Sequence, residues 1–181
     1  MKYPTRKLPH QRGVTLVEAC AVIAIAAILA AAATPNMQAL IDGRRLEGTA
    51  ALLATDIQFA RSEAVARNQP VRMSFHAGPD GSCYVIHTGA ADLCNCDAPG
   101  SAVCSASAHQ IKTTTLATTD RVALQANVGS VLFDPLHGTS TPTGTLRVIG
   151  RQGRAIHHVI NVMGRVRSCS PLGAMPGYRA C

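Results

Sequence analysis

Six arginines crowd the last 47 residues, Arg147, Arg151, Arg154, Arg165, Arg167 and Arg179, and no acid follows Asp134. A guanidinium is a planar fork that grips phosphate or carboxylate oxygens through paired N–H donors, so this acid-free stretch is a cationic surface suited to a polyanion. Its sharpest arrangement is Gly164-Arg165-Val166-Arg167. Residues i and i+2 of an extended segment point the same way, which presents Arg165 and Arg167 side by side. Gly164 supplies a tight turn and lets the backbone come close. Arg151 and Arg154 bracket the turn 150–153, and Arg147 stands just before it, a second cationic point. Such arginines also serve simply to solvate a sheet face or to touch a neighbouring subunit.

Cysteine offers a second chemistry. Of the seven cysteines, Cys20 lies in an apolar run as one more small residue. The other six, Cys83, Cys94, Cys96, Cys104, Cys169 and Cys181, suggest disulfides formed in an oxidising compartment. Cys94 and Cys96 are too close in sequence for an easy mutual bond. Each is therefore expected to reach another partner such as Cys83 or Cys104, which leaves Cys169 with Cys181. A metal site is not expected: His157 and His158 are adjacent in a strand and face opposite ways, and the cysteines lack a CxxC pair. No nucleophile elbow or phosphate loop is present, so neither an enzyme nor a cofactor is expected.

The elements that hold these residues begin with an anchor. Residues 14–33 form a 20-residue apolar run, the length of the ~30 Å hydrocarbon core at about 1.5 Å per helical residue. Lys2, Arg6, Lys7 and Arg12 precede it, and their loss would take the formal charge from +7 to +3. A basic flank of this kind stays in the cytoplasm while the rest of the chain is exported. An ordinary cleaved signal ending at Ala31-Ala32-Ala33, or a plain anchor, would fit the same run. Neither gains anything from Glu18, a carboxylate that costs about 2–3 kcal/mol in the bilayer.

Gly13-Val14-Thr15-Leu16-Val17-Glu18 resembles the type IV prepilin signature, with Val14 where most members carry Phe; Pro35 falls where many pilins also have proline. The resemblance implies that prepilin peptidase cuts after Gly13, that the new N-terminus at Val14 is methylated, and that Glu18 pairs with the Val14 amine of a neighbouring subunit.

After the anchor, Leu40, Ile41, Leu46, Leu53, Ile57, Ala60 and Ala64 recur at helical steps, which predicts an amphipathic helix to about residue 68. Gly43 and Gly48 would weaken or bend it, and Gln69-Pro70 would stop it. Alternation then predicts strands over 71–76, 83–88, 113–116, 122–124, 131–133, 145–149, 154–162 and 166–169. Residues 89–108 are Ala-, Ser-, Gly- and Cys-rich without a period and read as a loop held by disulfides. The expected fold is α+β: a leader (1–13), a transmembrane or filament-core helix (14–34), an amphipathic continuation (35–68), and an antiparallel β domain (69–181). With 3% aromatics and no Trp, its core should be light.

The segment FARSEAVARNQPVRMSF (59–75) resembles the GspH/FimT family of minor pilins and pseudopilins, and Gly164-Arg165-Val166-Arg167 resembles the Gly-Arg-x-Arg motif of FimT-type members, which bind DNA in natural transformation. The resemblance implies a pilin-like fold, an inner-membrane protein with its C-terminal domain in the periplasm, and assembly with other pilin subunits into a pilus or pseudopilus. It also implies double-stranded DNA as a partner, held by its phosphates at Arg165, Arg167, Arg154, Arg151 and Arg147 with Gly164 shaping the turn. The alternative is a structural pseudopilin of type II secretion or pilus assembly that touches no nucleic acid.

Overall fold

The computed structural model describes residues 13–98, 101–105 and 107–181; the basic leader with Lys2, Arg6, Lys7 and Arg12 lies outside the described residues. Helix α1, Leu16–Arg67, contains 52 residues and continues through Gly43 and Gly48. Thr15 closes its start: the Thr15 hydroxyl accepts the Glu18 amide at 3.3 Å. Thr15-x-x-Glu18 has capping-box spacing, and the carboxylate lies in the first turn, where the positive end of the helix favours it.

Two compact units share α1, one reaching to Ala39 and the other running Leu40–Cys181. In the first, Val17, Val22, Ile23, Ile25, Ile28 and Leu29 are all exposed, on a helix long and apolar enough to cross a membrane.

In the second, Leu46, Ala50, Leu53, Ile57, Ala60 and Ala64 are fully buried, a stripe at steps of four and three. Leu40 and Ile41, expected in that stripe, are 56% and 46% exposed, so the buried face begins only at Leu46.

The strands divide into two main antiparallel sheets. The first runs β5 (Gln110–Ala117), β2 (Gly81–Thr88), β1 (Val71–Gly78), β7 (Ser130–Phe133), β8 (Ser140–Thr141). The second runs β11 (Val166–Cys169), β10 (Ala155–Ile160), β9 (Gly144–Ile149), β6 (Ala123–Ala126). Both close on α1: Met73, Tyr84, Ile86, Phe133, Leu146, Val148, Ile156 and Ile160 share one core with its buried stripe. Alanines at positions 50, 60 and 64 let the sheets come close without large side chains, which is how a chain poor in aromatics builds a core.

Residues 89–108, expected as a loop, contain a small sheet of β3 (Cys94–Ala98) and β4 (Ser101–Cys104). Cys94–Cys104 joins its two strands, and Cys83–Cys96 bolts it to β2. Composition gave no strand signal here because covalent bonds, together with a minor cluster of Val85, Cys94 and Ala108, replace an apolar core. This flap leaves β2 buried on both faces. Cys169–Cys181 forms the third bridge.

One polar tie crosses from α1 to the first sheet. Asp56, 2% exposed, accepts the Tyr84 hydroxyl at 2.7 Å and the Lys112 ammonium at 2.6 Å. Burial, with the Asp56 charge adding to it, pushes the Tyr84 phenol well above its ordinary 10.0. Burial likewise lowers the pKa of His87, and that of His158 against a smaller opposing pull from the Ala50 carbonyl.

Asp56→Ala should lower the unfolding free energy by about 3 kcal/mol, since it leaves a buried phenol and a half-buried ammonium unpaired. Urea melts of the full chain check this, and a loss under about 1 kcal/mol would count against the tie. The buried imidazoles set the acid response. Their folded pKa values lie below the ordinary 6.5, so the unfolded chain takes up protons first. Stability should be full above pH 6.5 and fall as the pH drops below it, and His158→Gln should flatten that dependence.

Candidate nucleic-acid interface

The C-terminal arginines are carried by the meander β9–β10–β11, and the register decides which of them meet. Across β9 and β10, Arg147 pairs with His157 and Thr145 with Val159; across β10 and β11, His157 pairs with Cys169 and Val159 with Arg167. Leu146, Val148, Ile156, His158 and Ile160 are buried on the side that faces α1. Arg147, His157, Val159 and Arg167 therefore share the opposite, outer side, and Arg165, two residues before Arg167, joins them. Arg147, Arg165 and Arg167 are all exposed. From strand spacing, Arg165 and Arg167 stand about 7 Å apart, and Arg147 about 12 Å from Arg167. His157 and His158 face opposite ways. Burial first, and then the Arg147 charge, lowers the His157 pKa.

The other two arginines do not join this group. Arg154 belongs to the inner alternation, and its guanidinium lies against α1, with Nη1 3.2 Å from where a Cβ on Gly43 would stand. Gly43 thus makes room for an arginine rather than bending the helix. Arg151 is exposed, but in the 3-10 turn Arg151–Gly153 at the β9–β10 end of the meander. The β10–β11 turn that carries Arg165 lies at the other end, roughly 20 Å away along the six residues of β10. The two cationic points foreseen from spacing are separate places.

Gly164 proves to be a packing residue. It is buried with φ of 69°, and a Cβ there would stand 2.6 Å from the Gly138 carbonyl oxygen and 3.0 Å from Arg61 Nε. Arg61, on α1, donates through that Nε to the Gly138 carbonyl at 2.8 Å. Asn161 closes the same turn: its carbonyl accepts the Gly164 amide at 2.9 Å, and its side-chain oxygen accepts the Arg165 amide at 2.9 Å. Arg61, Gly138 and Asn161 fix the backbone of the turn from which Arg165 projects. Sequence reasoning missed them because Arg61 and Gly138 are 77 residues apart and no spacing rule joins them. Among the described residues, no cluster of His, Cys, Asp or Glu is arranged to hold a metal ion.

The family described as Type II transport protein GspH matches residues 49–164, and the Prokaryotic N-terminal methylation motif matches residues 8–34. The chain belongs to the GspH family. GspH-family chains are structural, non-enzymatic pilins and pseudopilins, and this one carries the long N-terminal helix on antiparallel sheets of the pilin-like α+β fold. No curated protein matches the sequence. Among solved structures, the type IV minor pilin FimU of Pseudomonas aeruginosa (strain PAO1) is similar in two crystal forms. In space group P21 it is 19% identical with a TM-score of 0.50, over 71% of this chain and 93% of that one. In space group P65 it is 20% identical with a TM-score of 0.47, over 70% and 97%. At that identity the likeness concerns the fold.

A pair of substitutions separates backbone strain from packing in this GspH-family chain. Gly153 also has positive φ, 71°, but nothing lies within 4 Å of a Cβ placed there. Gly153→Ala should cost about 1 kcal/mol and Gly164→Ala about 3 kcal/mol, the difference being the collision with Gly138 and Arg61. Equal losses in urea melts would show that the close approach carries no energy.

Proposed function

We propose that this GspH-family chain is a FimT-like minor pilin that is cut after Gly13, assembles beside other pilins through its apolar helix, and captures extracellular double-stranded DNA for uptake. The observation that carries the DNA part is the outer side of β9–β10–β11, where Arg147, Arg165 and Arg167 are exposed together in a stretch without acids. Their guanidiniums meet backbone phosphates, which binds DNA without reading bases. Arg151 at the far turn is a separate, weaker contact, and Arg154 is withdrawn from the interface by its place against Gly43. The methylation motif over residues 8–34 supports the processing step, in which prepilin peptidase frees and methylates Val14. Glu18, in the first turn of α1, then meets the Val14 amine of a neighbouring subunit. A second reading, a structural pseudopilin with no nucleic-acid role, is favoured by the type II transport description of the family.

Two measurements test this. Mass spectrometry of the mature chain should find methylated Val14 at the N-terminus; a start at Thr34 would mean ordinary signal cleavage. Labelled double-stranded DNA titrated with the mature chain in uncharged detergent should bind with a log-log salt slope of at least about 2.7 in magnitude, from ~0.9 per phosphate contact. The double variant Arg165→Ala, Arg167→Ala should reduce that magnitude by about 1.8. No salt-dependent binding, or a slope unchanged in the double variant, leaves the structural reading standing.

A further inference from the structure

Arg179 lies outside the motif and twelve residues beyond Arg167, yet the fold brings it back. After β11 the chain makes a 3-10 turn, Pro171–Gly173, buries Met175, packs Tyr178 on the core, and returns along the free edge of β11. Ser170 is the hinge of this return. It is wholly buried; its hydroxyl donates to the Ala155 carbonyl at 2.9 Å and accepts the Met175 amide at 3.2 Å. Its amide donates to the Arg179 carbonyl at 2.8 Å, and its carbonyl accepts the Cys181 amide at 3.1 Å, a parallel bridge between Ser170 and Ala180. Cys181 is joined to Cys169, and its sulfur lies 3.8 Å from His157 Nδ1, which belongs to the outer side of the sheet.

The direction of Arg179 follows from its neighbours. Ala180 stands opposite Ser170 in a parallel bridge, which puts Arg179 level with Cys169 and on the same side of the sheet, the side of Arg147 and Arg167. Arg179 is exposed, and among the described residues no ion pair or side-chain hydrogen bond engages its guanidinium. Its Cα lies about 8 Å from that of Arg167, one strand gap and two residues along the edge. Two backbone hydrogen bonds alone hold residues 179–181 weakly; the Cys169–Cys181 disulfide keeps them on the sheet.

We infer that Arg179 is a further phosphate-binding residue of the outer side of β9–β10–β11, and that the Cys169–Cys181 bond is the tie that holds it there. This rests on the DNA reading above and adds one contact to it, which takes the expected slope from about 2.7 to about 3.6 in magnitude.

The test uses the mature chain in uncharged detergent with the same labelled DNA. Arg179→Ala and the double variant Cys169→Ser, Cys181→Ser should each reduce the slope magnitude by about 0.9, and all three changes together should reduce it no further. An unchanged slope in either variant, in a chain whose slope still falls on Arg165→Ala, Arg167→Ala, overturns the inference and leaves the DNA reading intact. Absence of salt-dependent binding in the unaltered chain overturns both. Should the cysteine variant fold poorly, Arg179→Ala decides alone, since its exposed side chain makes no core contact.

Discussion

The carboxylate of Asp56 sits at the middle of the buried stripe of α1 with almost no contact with water, and a charge so placed is tolerable only when its lone pairs are filled. Tyr84 from β2 and Lys112 from β5 fill them, so the helix can meet the first sheet in one rotation and at one height. An apolar stripe of leucine, isoleucine and alanine is forgiving of small slides; a bidentate polar contact is not. Once that height is set, Arg61 arrives under the Gly138 turn and Gly43 arrives beneath Arg154. Both sheets are thus positioned from α1, the first through Asp56 and Arg61, the second through Arg154 and the packing of Arg61 on Gly164.

The second sheet has two characters because of where α1 lies. Its inner side is largely apolar, with His158, its pKa lowered by burial, hydrogen-bonded to Ser168 at 2.8 Å and Arg154 set against α1. Its outer side collects the cations. Strand alternation makes that division absolute: Arg147 and Arg154 are both on or beside the same hairpin, yet one faces solvent and the other the helix. A count of arginines along the chain therefore overstates the charge any one face presents.

Disulfides do for the periphery what the core does for the centre. The flap of β3 and β4 has few large apolar residues; Cys94–Cys104 joins its strands and Cys83–Cys96 holds it to β2, where it packs on Val85. The third bridge holds the segment around Cys181 against β11. A chain with three phenylalanines and no tryptophan thus reaches a closed surface through covalent links at its edges.

The local patterns were sufficient for a good deal. The steps of four and three along α1, the alternation of the strands and the stop at Gln69-Pro70 place the helix end at Arg67 and most strands within a few residues of where they lie. The apolar run with its early glutamate and the segment 59–75 announce the pilin-like family from residues adjacent in sequence, because helix period, strand period and short motifs are all nearest-neighbour properties. The partition into two sheets, the flap, the placement of Arg154 against α1, the distance between Arg151 and Arg165, and the roles of Arg61, Gly138 and Asn161 were not legible. Each depends on which strand lies beside which and on which side α1 lies, contacts between residues tens of positions apart. Sequence by itself determined that the C-terminal quarter is cationic and extended; only the tertiary structure decided which arginines look outward together, because a strand's two faces acquire their identities from what packs against one of them.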